Sequence, residues 1–197
     1  VSLADTMRQE VAAWKRLAEM TGRDLGPSLT TVVLEHGQPY EIDREASSKV
    51  ENGLLQECFG NATHAALGND ELTYVEGFAI HGFLPVHHAW VINAEGKALE
   101  VTWRDGGNEC GFCWDGEREL DQDDDGYDED DESTWVATCH YCGGSGKGVK
   151  HRTLEDAEYY GIAVPDEVLR KTIMRRGIYG VLNTQDDIDA ILAARSA

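Results

Sequence analysis

Apolar positions Leu3, Met7, Val11, Trp14, Leu17 and Ala18 recur every three or four residues near the start of the chain. That spacing lines one face of a helix over residues 3 to 20. Thr30–Leu34 and Gln38–Ile42 then read as two short strands around Gly37. Ala62, Ala65 and Ala66 fit a short buried helix beginning near Cys58. Three strand-like runs follow, Thr73–Ile80, Leu84–Asn93 and Ala98–Trp103, the last two joined by a turn at Asn93–Gly96. Tyr159–Val164 is a further strand, Pro165 opens a basic helix from Asp166 to Arg176 that Gly177 closes, and Thr184 caps a last helix through Ile188, Ile191 and Leu192. Helices at both ends around a run of hairpin-connected strands predict an α+β fold, a helix packed on an antiparallel sheet.

The stretch from 104 to 152 breaks this pattern. The chain has 197 residues, enough for one sizeable core, so residues 1–103 and 153–197 are expected to form it and 104–152 to be an insertion. The formal net charge is -20, which disfavours gripping a phosphate backbone and makes nucleic acid an unexpected partner. No apolar run is long enough to span a bilayer, and the first residues read as an amphipathic helix rather than a leader, so a cytoplasmic protein without membrane contact is expected. The charge is concentrated: residues 115–132 hold 12 acids and one Arg. An acidic block this poor in apolar residues does not fold alone and should be a solvated loop.

Four of the five cysteines frame that loop. Cys110-Gly-Phe-Cys113 and Cys139-His-Tyr-Cys142 are two Cys-x-x-Cys pairs separated by 25 residues. Two-residue gaps let both thiolates of a pair reach one tetrahedral zinc ion, and a site closed by four thiolates leaves no position for water, so the zinc is expected to be structural. A pair of disulfides is the less favoured alternative. The continuation from Cys139 through Gly146 resembles the CxxCxGxG repeats of DnaJ-type chaperones, a resemblance that implies the metal and not chaperone activity. Inside the loop Asp121, Asp123, Asp125 and Glu132 satisfy a calcium-loop spacing. Any Asp-rich run meets that template, and calcium is the less favoured state.

Cys58 stands apart, at the expected start of the alanine-rich helix. Unpaired amides and the helix dipole there stabilise a thiolate. The amides of Cys58 or Phe59, with the Gln56 side chain as a further donor, are suited to hold an oxyanion. On the strand 84–93, alternation puts His88, Trp90 and Ile92 on one face and His87, Ala89 and Val91 on the other, and a hairpin to 98–103 can bring Glu100 to His88. Nucleophile, base and orienting carboxylate are the parts of an activated thiol.

The order Cys-helix, then His88-Ala-Trp90-Val91, a short turn, then Glu100-Val-Thr102-Trp103 resembles the core of papain-like thiol enzymes of the transglutaminase-like branch, over about a quarter of the chain. The resemblance implies a papain-like core with Cys58 as nucleophile, His88 as general base and Glu100 as orienter. Glu100 stands where that branch has Asp, Val101 where it has Pro, and Phe59 where Trp often follows the cysteine. His87 is the rival base but lacks the Ala-Trp context.

These features imply a cysteine-dependent hydrolase or acyltransferase acting on an amide, isopeptide or ester bond of a protein or peptide. The alternative is a non-catalytic zinc-containing acidic protein or inhibitor that docks a basic partner. The insertion has its own test: elemental analysis after gel filtration should find about one zinc per chain, since four competent thiolates hold the ion tightly. Two disulfides by mass would refute the site.

Overall fold

The structure, a computed structural model, describes residues 2–50, 53–54, 57–80, 85–103, 117–119, 136–138, 154 and 157–196. The chain divides into two compact units, Val1–Trp103 with Leu154–Ala197, and Arg104–Thr153.

In the larger unit helix α1 (Leu3–Thr21) starts where the Ser2 hydroxyl accepts from Asp5 N–H and ends on left-handed Gly22. Its buried Leu3 and Met7 lie on the face expected from the sequence. Helix α2 (Leu29–His36) follows, and corrects the strand expected at Thr30–Leu34. The β-branched run favours a strand locally, but Ser28 caps the Thr31 amide, and Thr30, Thr31, Val32 and Val33 are buried together, an apolar run that serves a helix equally well. Strand β1 (Gln38–Tyr40), the one-turn helix α3 (Arg44–Ser47) and helix α4 (Cys58–Gly68) lead to the sheet.

Strands β2 (Thr73–Ile80), β3 (Pro85–Ile92) and β4 (Ala98–Leu99), with β7 (Glu158–Ala163), join β1 in a five-stranded sheet of order β1-β7-β2-β3-β4. Every ladder in it is antiparallel. The fold is α+β, as its pattern of elements predicts. One face carries the helices: Ala62 and Ala66 of α4, with Tyr74, Ala89, Val91 and Ile162 from the sheet, belong to the main core. The other carries a smaller cluster of Tyr40, Val75, Ala79, Trp90, Ala98 and Tyr159. Strand alternation assigns His88 and Trp90 to this second face and His87 to the helical one.

The expected strand Ala98–Trp103 is shorter than its pattern suggests. Pairing covers only Val91 with Leu99 and Ile92 with Ala98, after which the chain leaves the sheet. Helix α5 (Asp166–Arg176) closes on left-handed Gly177, and α6 (Gln185–Arg195) is capped by Thr184. The basic residues of α5 are compensated within the fold. Arg170 bonds Asp166 and Lys171 bonds Glu167, while Arg175 and Arg176 both reach buried Asp187 of α6. In the smaller unit β5 (Glu117–Glu119) pairs antiparallel with β6 (Val136–Thr138).

Gly161 of β7 is where the two core faces demand a missing side chain. A Cβ there would lie 2.6 Å from the Trp90 ring and 2.8 Å from the Glu76 carbonyl oxygen. Gly161→Ala should therefore cost about 1 to 3 kcal/mol by forcing buried, rigid neighbours apart. Urea unfolding measures it, and an unchanged midpoint would contradict the packing described.

Candidate active site

Strand β3 delivers His88 to the interior, where the ring is 1% exposed. A histidine so deep needs partners for both nitrogens. Its Nε2 lies 2.9 Å from Glu100 Oε2, and Cys58 lies near enough to favour the charged form of the ring. Cys58 opens α4 and is 9% exposed. The structure thus brings together the three residues picked out by sequence, Glu100 bonded to His88 and Cys58 close to that ring.

Glu100 explains the early end of β4. Its carboxylate is fully buried, and its own chain turns back to satisfy it: Thr102 N–H donates to Oε1 at 2.8 Å and Trp103 N–H at 3.1 Å. Oε2 takes the His88 ring and the Tyr159 hydroxyl, the latter at 2.8 Å. Four donors account for the acceptor capacity of the group, which is what allows a carboxylate to stay ionised without water. The backbone of Glu100 is held as well, its N–H donating to Ser47 Oγ at 3.0 Å. His88 therefore does not face Glu100 as the cross-strand pair expected from a continued hairpin. The turn after Leu99 swings the carboxylate to a ring beyond the end of the β3–β4 ladder. Trp103 then stacks on His88, ring centres 3.8 Å apart and 3° from parallel, a geometry that favours the cationic ring.

Electrostatics follow from these contacts. Burial by itself disfavours the His88 imidazolium, but the Glu100 charge and the hydrogen bonds to Cys58 and Glu100 outweigh it, pushing the pKa up to about 9. Burial opposes the Glu100 charge too, and the His88 cation and the donors around the carboxylate hold it below its ordinary range. His88 is accordingly an imidazolium at neutral pH, beside a thiol that opens a helix.

The helix start is left open. Glu57, its N-cap residue, makes no side-chain cap, and the first intrahelical bond is from Asn61 N–H to the Glu57 carbonyl, 2.8 Å. The amides of Cys58, Phe59 and Gly60 have no acceptor among the described residues, and are oriented by the helix toward incoming negative charge. Asn61, one turn on, donates to the Leu54 carbonyl at 2.7 Å and to Thr102 Oγ1 at 3.0 Å. It ties the segment approaching Cys58 to the turn that carries Glu100. A cavity of about 580 Å³ lies against the flank of α4, with Gly53, Asn61, His64 and Leu72 on its wall, and none of Cys58, His88 and Glu100 lines it.

Sequence reasoning missed Tyr159 and Ser47, which stand in no recognisable motif, and the stacking of Trp103 on His88, because each reaches the site through tertiary folding. It also missed a second buried carboxylate, Glu76 of β2, on the helical face. His87, the rival base, belongs to it: His87 Nε2 lies 3.0 Å from Glu76 Oε1. Gln56 lies outside the described residues, as do Cys110, Cys113, Cys139, Cys142, Asp121, Asp123, Asp125 and Glu132. Among the described residues no group of three or more His, Cys, Asp or Glu side chains is placed to hold a metal ion, and no helix is long and apolar enough to cross a membrane. No family model, curated protein or solved structure matches this chain.

The ion pair has a stability signature. Folded His88 binds its proton more tightly than the ordinary histidine value of 6.5, so its contribution is complete below that pH and is lost as pH rises through about 9. Glu100 is shifted the other way, so its contribution is present above the ordinary value of 4.5 and is lost on acidification below it. The thermal midpoint should fall as pH is raised from the ordinary histidine value of 6.5 toward about 9, and Glu100→Gln should flatten that fall while costing about 3 to 5 kcal/mol at neutral pH, the usual consequence of removing one partner of a buried charge pair. A variant with wild-type stability and pH dependence would contradict the pairing.

Proposed function

We propose that the protein is a papain-like cysteine hydrolase or acyltransferase of the transglutaminase-like kind, acting on an amide, isopeptide or ester bond of a protein or peptide. The observation that carries this reading is the buried His88 imidazole, anchored through Nε2 on Glu100 and close to Cys58 at an uncapped helix start.

The chemistry follows from that arrangement. In the reactive state Cys58 gives its proton to solvent and attacks as a thiolate paired with the His88 imidazolium, which already holds both ring protons. Cys58 Sγ attacks the acyl carbon, and the oxygen of the tetrahedral intermediate takes its charge toward the open amides of Cys58 and Phe59, with Gln56 as a further donor. The bond to the leaving amine or alcohol then breaks, and His88 gives that group its proton from Nδ1. In the second half-reaction water or an amine attacks the thioester carbon, loses its proton to Nδ1, and the carbon–sulfur bond breaks to regenerate the thiolate. Glu100 holds the tautomer and supports the cation throughout, as the third member of a thiol triad does. Trp103 and Tyr159 are positioning residues that act through His88 and Glu100.

The insertion is a separate part of the proposal and rests on cysteine spacing: Cys110, Cys113, Cys139 and Cys142 hold a structural zinc. The acidic loop between the two pairs biases the protein toward basic partner surfaces.

Thiol reactivity tests the reading without knowledge of the substrate. Iodoacetamide should alkylate Cys58 faster than it alkylates glutathione at pH 7, with the site assigned by peptide mass. His88→Ala should slow this about tenfold or more, because an unassisted thiol is only a few per cent thiolate at neutral pH. A Cys58 no more reactive than glutathione in the folded protein would sink the enzyme reading.

A further inference from the structure

Consecutive residues of β3 each carry an imidazole to a buried glutamate, on opposite faces of the sheet. The mechanism uses one of them. Glu76, 0% exposed, receives the Tyr74 hydroxyl at 2.8 Å and Val181 N–H at 2.6 Å on Oε2, and Leu182 N–H at 3.1 Å with His87 Nε2 at 3.0 Å on Oε1. Two amides and a hydroxyl only donate here, and His87 takes the remaining acceptor position of the carboxylate. Nε2 therefore donates to Glu76, which leaves Nδ1 as the ring nitrogen that can accept. Unlike His88, His87 reaches solvent, with 30% of its side chain exposed, and its Nδ1 has no partner among the described residues.

The placement of the ring ties it to the nucleophile. His87 packs edge-on against Phe59, the residue after Cys58, with ring centres 4.8 Å apart, and against Phe78 at 5.8 Å. The segment that Glu76 holds by Val181 and Leu182 continues back to Tyr179, whose ring lies against Gly60 of the same helical turn, and whose hydroxyl is 2.7 Å from His64 Nε2. The Glu76 system thus borders the first turn of α4 through His87 on Phe59 and Tyr179 on Gly60.

We propose that His87 is a specificity-determining residue that contacts substrate on the Phe59 side of Cys58, its Nδ1 accepting a hydrogen bond from an N–H of the group being acted on. The substrate class so selected is a primary or secondary amide, rather than an ester or a tertiary amide that offers no such donor. Glu76 is the positioning residue that fixes the tautomer, as a carboxylate behind a histidine does in other polar sites. The proposal rests on Cys58 being the reactive thiol, and it deepens that reading by choosing among the bonds it allows.

Two alkylating agents of equal charge separate the contributions: iodoacetamide, which has an N–H donor, and N,N-dimethyliodoacetamide, which has none. Rates are measured at Cys58 of the full-length protein by peptide mass, and the ratio of the two is compared with the ratio for glutathione. Thiolate content cancels in the ratio. The wild-type ratio should exceed the glutathione ratio about fivefold, a typical hydrogen bond's worth of discrimination. His87→Phe, which keeps the ring packing against Phe59 and Phe78, should abolish the excess. His87→Asn, with its side-chain oxygen placed as an acceptor, should retain part of it, and serves should the first variant fail to fold. A wild-type ratio equal to that of glutathione, or an excess that survives in His87→Phe, overturns the proposal while leaving the thiol mechanism standing. A Cys58 that neither reagent alkylates faster than glutathione removes the reading on which it rests.

Discussion

A carboxylate buried without water must be surrounded by donors, and the solution this chain finds for Glu100 organises the site. Leaving such a charge unpaired in the interior costs several kcal/mol, about the scale on which whole domains are stable. Two of the donors are the amides of Thr102 and Trp103, so the backbone after β4 must turn at once, and the sheet edge beside His88 is left open. The other two are the Tyr159 hydroxyl and the His88 ring, which join β7 and β3 to the same point. Ser47 holds the Glu100 amide and donates in turn to the Asp43 carbonyl at 2.6 Å, so α3 is anchored there too. The charge that orients the candidate base is also a junction of four separate chain segments.

Glu76 repeats the solution on the other face of the sheet, again with one histidine, one tyrosine and two backbone amides. The period of two along a strand puts adjacent residues on opposite faces, so His87 and His88 serve different carboxylates although they are neighbours in sequence. The physical difference between them is solvent. His88 is sealed beneath Trp103 and held as a cation, suited to a thiolate, whereas His87 keeps an open edge. Between the two lies the start of α4, whose amides have no side-chain cap. An uncapped helix end forgoes about 1 kcal/mol that an ordinary capping residue supplies, and the open amides are what acyl chemistry at Cys58 requires.

Much of this was legible in the sequence. The pattern placed α1, β2, β3, β7, α5 and α6 within a residue or two, because each is bounded by a cap, a proline or a turn and keeps one periodicity throughout. It failed at Thr30–Leu34, where a short β-branched run supports either state and the Ser28 cap and tertiary burial decide for helix. It failed again after Leu99, where alternation continued through Trp103 but the need of Glu100 for donors overrode it. Cys58, His88 and Glu100 were identified from order and residue type. Tyr159 and Ser47 were not, since a residue 59 positions from its partner leaves no local trace of the contact. Glu76 was hidden for a related reason: it sits in the strand Tyr-Val-Glu-Gly-Phe as an ordinary alternating polar residue, and only the arrival of residues 181 and 182 shows that it is buried.

The claim on which the account turns is that His88 is a cation at neutral pH because Glu100 and Cys58 hold its second proton. Nitrogen-15 NMR of the imidazole, assigned by comparison with His88→Gln, measures this directly. The account predicts that both ring nitrogens of His88 are protonated at pH 7 and that the proton is lost near pH 9. A neutral ring at pH 7, titrating at or below the ordinary value of 6.5, would contradict it.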